Sequence, residues 1–440
     1  MRRAYKCRAY PDPEQAVQLS RTFGCLRLVW NRTLAERTRV WREEGKRTSY
    51  RDTDAALTRW KKTPELAFLG QVSSVPLQQT LRHQHAAFVG FFAGRTRYPR
   101  FKARGGRQAA HYTRSAFRLR DGRLRLAKSI SPLRFVWSWS QDSLTELDPT
   151  MVIVSREADG RWYVTFSVET DAPVPAPAPA PAPEAGSGTQ TAAEEGDVVG
   201  IDLGVMDLAT LSTGEKIPNP RHLARKARGL VRYQRRMART QRGSKNRRKA
   251  RRRVAASHRK VRHLRQDFLH KLTTRLVREH PIIAIEDLNV RGMTASAKGT
   301  HGQPGRKVQA KAGLNRAVLD ASFGEIRRQL EYKTQRAGRL LVVVDRWLAS
   351  SKTCSECHYV LAELSLRTRV WSCPGCRTRH DREVNAARNI SAAGRVAVRG
   401  STLDDACGAG VRRQGSSLSQ PAKKQETGPV RVTTMAVPGR

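Results

Sequence analysis

Polar and apolar positions divide this chain into segments of different period. Met1 to Tyr10 reads as a short strand. From Glu14 the period changes: Phe23, Leu26, Trp30 and Leu34 recur at helical spacing, and helical character continues, with breaks, to about Gly94. Two hairpin signals follow. Phe117–Arg120 and Arg123–Leu126 flank Asp121–Gly122, and Met151–Glu157 and Arg161–Val168 flank Ala158–Asp159–Gly160. An Asp-Gly between alternating runs predicts a tight turn. The first half is therefore expected to be β-rich with a helical insertion, its hairpins closing into a small barrel with the N-terminal strand. Farther on, Val198 to Ser212 predicts two strands, Pro281 to Glu286 and Leu340 to Val344 apolar strands, and Leu319, Phe323, Ile326 and Leu330 an amphipathic helix. Arg291 to Gly313 is Gly- and Lys-rich and expected to be mobile, and periodicity fades after about Gly394.

Composition sharpens this picture. The 440 residues exceed one ordinary core. The Ala-Pro repeat within 171–197 predicts an extended spacer between two halves. With 83 Lys+Arg against 38 Asp+Glu, the net charge is +45, which implies a polyanionic partner, nucleic acid above all. The charge is also concentrated: Arg221 to Arg265 holds 20 Lys/Arg and no acid, with a thin apolar stripe predicting two basic helices broken near Gly243–Ser244. Arg225, Arg232, Arg236, Arg239, Lys245, Arg247, Arg248, Arg252 and Arg259 are its candidate phosphate contacts. No apolar run approaches the roughly 20 residues of a membrane span, and the N-terminus lacks the apolar stretch of a signal peptide. A cytoplasmic location is expected, where cysteines serve as metal ligands or free thiols.

Four of the seven cysteines form two C-x2-C pairs, Cys354/Cys357 and Cys373/Cys376, with fifteen residues between the pairs. That spacing closes a tetrahedral thiolate shell around a structural zinc. The residue after the second Cys of each pair often needs a left-handed backbone, yet His358 and Arg377 stand there rather than glycine. His358 is not expected to be a fifth ligand, and Cys7, Cys25 and Cys407 read as ordinary thiols. Acids end two apolar strands, at Asp202 and at Glu286, and a third acidic cluster, Asp381–Arg382–Glu383, starts a helix just after the cysteines. Charges in such strands are costly unless offset. A pair of Mg²⁺ ions would offset them and could clamp a scissile phosphate. Asp287, one residue beyond Glu286, should face the other way.

The stretches GIDLGVMDLATLS, IEDLNVRGM, RRQLEYK, VDRW, SSKTCSEC and NAARNI, together with the basic run, resemble the TnpB family of insertion-sequence proteins, which is related to type V CRISPR effectors. VWNRTL, LQQTLRHQHAAF and YPRFK carry a looser resemblance in the first half. The resemblance implies an α/β multidomain protein. Its RNase H-like (RuvC) nuclease domain (198–350 and 381–395) carries an inserted zinc ribbon (351–380). An N-terminal wedge-like β-barrel (1–20 and 95–170) carries a helical recognition insertion (21–94); composition and fading periodicity add a linker at 171–197 and a tail at 396–440 expected to be disordered. It further implies an RNA-guided DNA endonuclease with two catalytic Mg²⁺ ions, one protein copy per guide RNA, the guide derived from the transposon end, and target DNA with a short adjacent motif. By position, Asp202 and Glu286 are the first two catalytic acids. Gln78, Gln79, Arg100 and Lys102 are further nucleic-acid contacts.

The third family acid is an Asp where this chain has Glu383, and Asp381 matches an earlier acid of the same run. Glu keeps the charge but moves it outward by one methylene, and a misplacement of about 1 Å can cost roughly 100-fold in rate. A nuclease-impaired RNA-guided DNA-binding regulator is therefore an alternative, as is a zinc-stabilised accessory protein of transposition. A strand transferase is disfavoured, because the His-x-His tyrosine motif of single-strand transposases is missing.

Overall fold

In the computed structural model, residues 2–139, 144, 146–169 and 198–400 are described. The expected spacer at 171–197, the expected tail beyond residue 400 and Cys407 lie outside them. The described chain forms two units, one from residues 2–169, 219–279 and 290–339, the other from 198–218, 280–289 and 340–400.

In the first unit a helix runs over Pro13–Glu44, and the sequence marks both its ends. Asp12 Oδ1 accepts from the Gln15 N–H at 2.7 Å while Gln15 Oε1 accepts from the Asp12 N–H at 3.2 Å. Gly45, at φ 64°, closes the other end. Helices Tyr50–Trp60 and Ser74–Phe92 follow, joined by a 3₁₀ stretch at Pro64–Gln71. The strands are β1 (Arg2–Ala9), β2 (Gln108–Thr113), β3 (Phe117–Arg120), β4 (Arg123–Leu126), β5 (Phe135–Val136), β6 (Met151–Arg156) and β7 (Trp162–Glu169). Five make a sheet of order β2-β6-β7-β1-β5, with β1 antiparallel to β7 from Arg2↔Glu169 to Ala9↔Trp162. Its buried face, including Val152, Val154, Val164 and Phe166, shares one core with Phe23, Leu26 and Val29 of the long helix. Both expected hairpins are present. Asp121 and Gly122 take φ 50° and 70°, the left-handed pair that a two-residue turn demands. The β3–β4 hairpin nevertheless stands as a separate two-stranded sheet, and the five-stranded order ends at β2 and β5 with no closing pair among the described residues.

The basic run forms helices His222–Ala238 and Lys245–Glu279, with Gly243 at φ 86° in the break. The expected amphipathic helix is two helices, Val308–Ala321 and Phe323–Arg336. Ser322, left-handed at φ 60°, separates them, so Leu319 falls on the first and is 55% exposed while Phe323, Ile326 and Leu330 are buried. The 291–313 stretch, expected to be mobile, overlaps helix Val290–Met293 and the start of Val308–Ala321. Residues 219–279 and 290–339 group with the N-terminal elements, whereas the sequence expectation placed them with the acid-bearing strands. Ion pairs within this unit, Arg259–Asp159 and Arg265–Asp320 among them, accompany the grouping.

The second unit holds a mixed sheet of order β10-β9-β8-β11-β12, built from β8 (Val198–Asp202), β9 (Asp207–Leu211), β10 (Lys216–Pro218), β11 (Ile282–Glu286) and β12 (Leu340–Val344). β8, β11 and β12 run parallel; β9 reverses against β8, and β10 against β9. Helix Arg382–Gly400 covers one face, its Ile390 buried with Val198, Ala284, Val342 and Val344. The approach is very close: a Cβ on Gly200 would sit 2.1 Å from the Ala387 carbonyl oxygen, and one on Gly394 would sit 2.6 Å from Ala284 Cβ. This helix continues to Gly400, past the point where periodicity fades. A hairpin of β13 (Val370–Ser372) and β14 (Arg379–Asp381) leads into it. Among the described residues, no helix is long and apolar enough to cross a membrane.

Candidate active site and metal centre

β8 and β11 pair in parallel register with Ile201 opposite Ile285. The next residue on each strand, Asp202 and Glu286, therefore leaves the carboxyl end of its strand on the same face. Gly200 and Ala284, two residues earlier, mark it as the face under helix Arg382–Gly400, whose first turn carries Glu383. The acids sense one another. The Asp202 carboxyl is pushed up to about 7, first by burial, then by the negative charges of Glu286 and Glu383, with the Arg382 guanidinium opposing. Among the described residues, no ion pair reaches Asp202 or Glu286. Partly buried carboxylate oxygens without an ion pair fit hard divalent cations such as Mg²⁺.

The neighbouring groups divide the acids by role. Glu286 Oε1 accepts from Ser350 Oγ at 2.6 Å. Asp287 turns to an ion pair with Arg346. Asp381 Oδ1 accepts from the N–H groups of Glu383 and Val384, both at 3.1 Å, which caps the helix, and its other oxygen takes Lys216 Nζ at 2.8 Å. Burial opposes, but these donors hold the Asp381 carboxyl below its usual range. Glu383 pairs with Arg369 at 2.8 Å and with Lys216 at 3.7 Å.

The four cysteines meet. Their ligand atoms all lie within 4.8 Å of one another, with Cys354 Sγ 3.6 Å from Cys376 Sγ and Cys357 Sγ 3.5 Å from Cys373 Sγ. Thiolates about 2.3 Å from a tetrahedral zinc stand about 3.8 Å apart, so the cluster fits one such ion with no open position. His358 and Arg377 do adopt the left-handed backbone, at φ 61° and 63°, because each N–H turns back to the first cysteine's carbonyl of its pair, at 3.0 and 2.9 Å. His358 is exposed. A histidine not singled out from the sequence, His380, is buried with Nε2 3.1 Å from Cys354 Sγ and its ring 4.7 Å from that of Trp371. Cys7 and Cys25 are buried thiols in the first unit, the former pushed up to about 11 by burial.

The basic helices are less uniform than the sequence expectation. Arg225, Arg232, Arg236, Arg239, Lys245, Arg248 and Arg252 are exposed. Arg247 Nη1 instead donates to the Met237 and Thr240 carbonyls at 3.0 and 2.8 Å, closing the end of the preceding helix. Arg259 pairs with Asp159, Arg262 with Glu157, and Arg265 with Asp320 at 2.6 Å. A run with no acid of its own thus borrows acids from the β6–β7 turn and from helix Val308–Ala321. Beside it a cleft of about 1530 Å³ is lined by Lys6, Arg107, Arg156, Arg251, Arg262 and neighbours. Of the looser candidates, Gln79 is buried, Gln78 half-buried and Arg100 exposed, and Lys102 Nζ stands 3.8 Å over the Trp30 ring.

Sequence reasoning missed Ser350, Asn385 and Asn389 as parts of the site. The spacing of the two asparagines, four apart at the start of a helix, was the available signal; a hydroxyl on Glu286 left none.

Three family models match: OrfB_IS605, described as "Probable transposase", over residues 165–297; "Cas12f1-like, TNB domain" over 323–390; and "Helix-turn-helix domain" over 1–46. Over the last stretch the structure has β1 and one continuous helix. A Streptomyces pristinaespiralis protein named "Putative RNA-guided DNA endonuclease" is 48% identical over 97% of this chain and 96% of its own. InsQ of Escherichia coli (strain K12), given the same description, is 32% identical over 98% of each. A solved Cas12f1–sgRNA–target DNA complex aligns over 85% of this chain and 81% of its own at 13% identity, with a TM-score of 0.46. With relatives this similar along nearly their whole length, the chain belongs to the TnpB family of insertion-sequence proteins.

Proposed function

We propose that this protein is an RNA-guided, Mg²⁺-dependent DNA endonuclease that cuts by phosphodiester hydrolysis. The observation that carries the reading is the convergence of Asp202 and Glu286, in register on adjacent parallel strands, with Glu383 on the helix that covers their face. The second unit is read as the RNase H-like domain, and the five-stranded sheet of the first as the wedge. Asp202, Glu286 and Glu383 would hold the cations, which supply charge neutralisation at the scissile phosphate and a more acidic attacking water. The residues' own task is to hold the three carboxylates together in position to receive the cations. Glu383 is favoured over Asp381 as third acid, because Asp202 senses Glu383 whereas Asp381 serves as the cap of its helix. The four-cysteine segment would carry a structural zinc. The exposed arginines of the basic helices would bind phosphates of a guide RNA from the transposon end and of target DNA beside a short motif, with pairing reading the sequence.

The test is cleavage of a plasmid bearing a matched target by protein co-expressed with the RNA of its element's end, with and without Mg²⁺. Mg²⁺-dependent cutting that disappears in Asp202→Ala is the expected result. Guided binding with no cutting would favour the second reading, a nuclease-impaired regulator, which has its own observation: Arg369 and Lys216 already engage the Glu383 carboxylate.

A further inference from the structure

Glu286 leaves its strand with a hydroxyl beside it and, among the described residues, no ion pair. Ser350 Oγ holds Oε1 at 2.6 Å, which leaves the other oxygen for a cation. Ser350 is 8% exposed, and its own position is fixed from behind. Its carbonyl accepts from Asn389 Nδ2 at 2.7 Å and from Asn385 Nδ2 at 3.3 Å. The same two amides also reach the Thr353 carbonyl, each at 2.7 Å, and Asn385 Oδ1 accepts from the Ser355 N–H at 3.0 Å. Cys354 lies between those two backbone groups. The asparagines sit one helical turn apart on the helix that bears Glu383, and both are almost fully buried, 1% and 6% exposed. Buried amides with such partners are costly to release, so the grip is stiff.

We infer that Ser350 is the positioning residue for Glu286, and that the four-cysteine segment sets its place through Asn385 and Asn389. The inference rests on the nuclease reading above. One helix fixes Glu383 by its first turn and, through its asparagines, fixes the limb that orients Glu286. Metal at the cysteines therefore acts on the carboxylates through a short run of hydrogen bonds as well as by holding the hairpin together. Groups behind a metal ligand commonly change metal affinity 10- to 100-fold when removed.

The experiment is Mn²⁺ binding, followed by electron paramagnetic resonance, to full-length protein freed of RNA at high salt. Ser350→Ala is expected to weaken Mn²⁺ binding by about 10- to 100-fold while thermal midpoint and zinc content stay at wild-type values. Ser350→Thr, which keeps the hydroxyl, restores binding. Asn389→Ala weakens Mn²⁺ binding in the wild-type background and less so in Ser350→Ala, since it acts through that hydroxyl. It also reads the coupling if Ser350→Ala melts early. Wild-type Mn²⁺ affinity in Ser350→Ala, or an Asn389→Ala effect equal in both backgrounds, overturns the inference. A wild-type protein that binds Mn²⁺ no better than Asp202→Ala overturns the nuclease reading and this inference with it.

Discussion

The acid-bearing end of the second unit and the basic helices of the first hold charge in opposite ways. At the acids, three carboxylates of one sign are brought together and two of them are fixed by specific partners: Ser350 on Glu286, and for Glu383 the helix start, which a capping Asp381 ties to Lys216. Along the helices, many charges of the other sign stay exposed; of the rest, Arg247 is held by backbone carbonyls, and acids hold Arg259 (Asp159), Arg262 (Glu157) and Arg265 (Asp320). Under the proposed function, the difference follows from what each region would handle. Bond cleavage on a phosphate is sensitive to displacements of about 1 Å. Attraction of a polyanion depends on how many charges are presented, not on where each one sits to a fraction of an ångström.

The sharpest way to break this comparison is at the acids. Asp202→Ala or Glu286→Ala should lower cleavage by more than the roughly 100-fold that a 1 Å misplacement costs, with guided target binding retained. Loss of binding in parallel would show that the acids support the fold rather than the chemistry. Next in size, Cys373→Ser should release the metal and lower cleavage about 10- to 100-fold although no acid is changed, since the limb that places Ser350 slackens. Metal analysis beside the rate measurement checks this, and full activity with less than half a zinc per chain contradicts it. Glu383→Ala should abolish cutting while Glu383→Asp keeps or raises it. Asp381→Ala should leave chemistry intact and cost about 0.5–2 kcal/mol of stability as a lost cap. The reverse pattern, cutting lost in Asp381→Ala and kept in Glu383→Ala, would move the third acid two residues upstream.

On the basic side, exposed and paired arginines should separate. Replacing Arg225, Arg232, Arg236 and Arg248 together should flatten the slope of log affinity against log salt by up to about 0.9 for each phosphate that is no longer neutralised. Arg265→Ala should instead lower the melting temperature, because it leaves the recessed Asp320 without its 2.6 Å partner. An unchanged salt slope in the fourfold variant would mean the run only keeps the protein soluble. The smallest expected effect is on pH. The Asp202 carboxyl rises from 3.8 to about 7 in the fold, so between those values the folded chain keeps a proton that the unfolded chain has lost. In Mg²⁺-free buffer, this contribution to stability is complete below about pH 4 and disappears as pH rises through about 7. Melting curves across that window should slope downward in wild type and flatten in Asp202→Asn; equal slopes would show that another group titrates.

The sequence alone determined whatever depends on neighbours along the chain. The capped helix from Pro13, the Asp121–Gly122 turn, the two basic helices, the apolar strands ending in acids and the paired cysteines are all local patterns, in which period, turn chemistry and ligand spacing act within a few residues. Even the left-handed His358 and Arg377 followed from the knuckle's own geometry. Where a local signal misled, a longer-range interaction or one backbone angle had decided. Ser322 at φ 60° split an apparently continuous helix, and packing against β8, β11 and β12 carried the last helix on to Gly400. Tertiary structure decided which charges meet. Asp381 and Glu383 are two residues apart and chemically alike, but only the start of the helix makes one a cap and sets the other toward Asp202. Ser350 could not be read because its partner, Glu286, is 64 positions away, and Asp159 and Asp320 were not apparent as counter-charges because they are 100 and 55 positions from the arginines they hold. Period and propensity act along a few turns of backbone, whereas an ion pair or a buried hydrogen bond depends on distance in space, which only the folded chain defines.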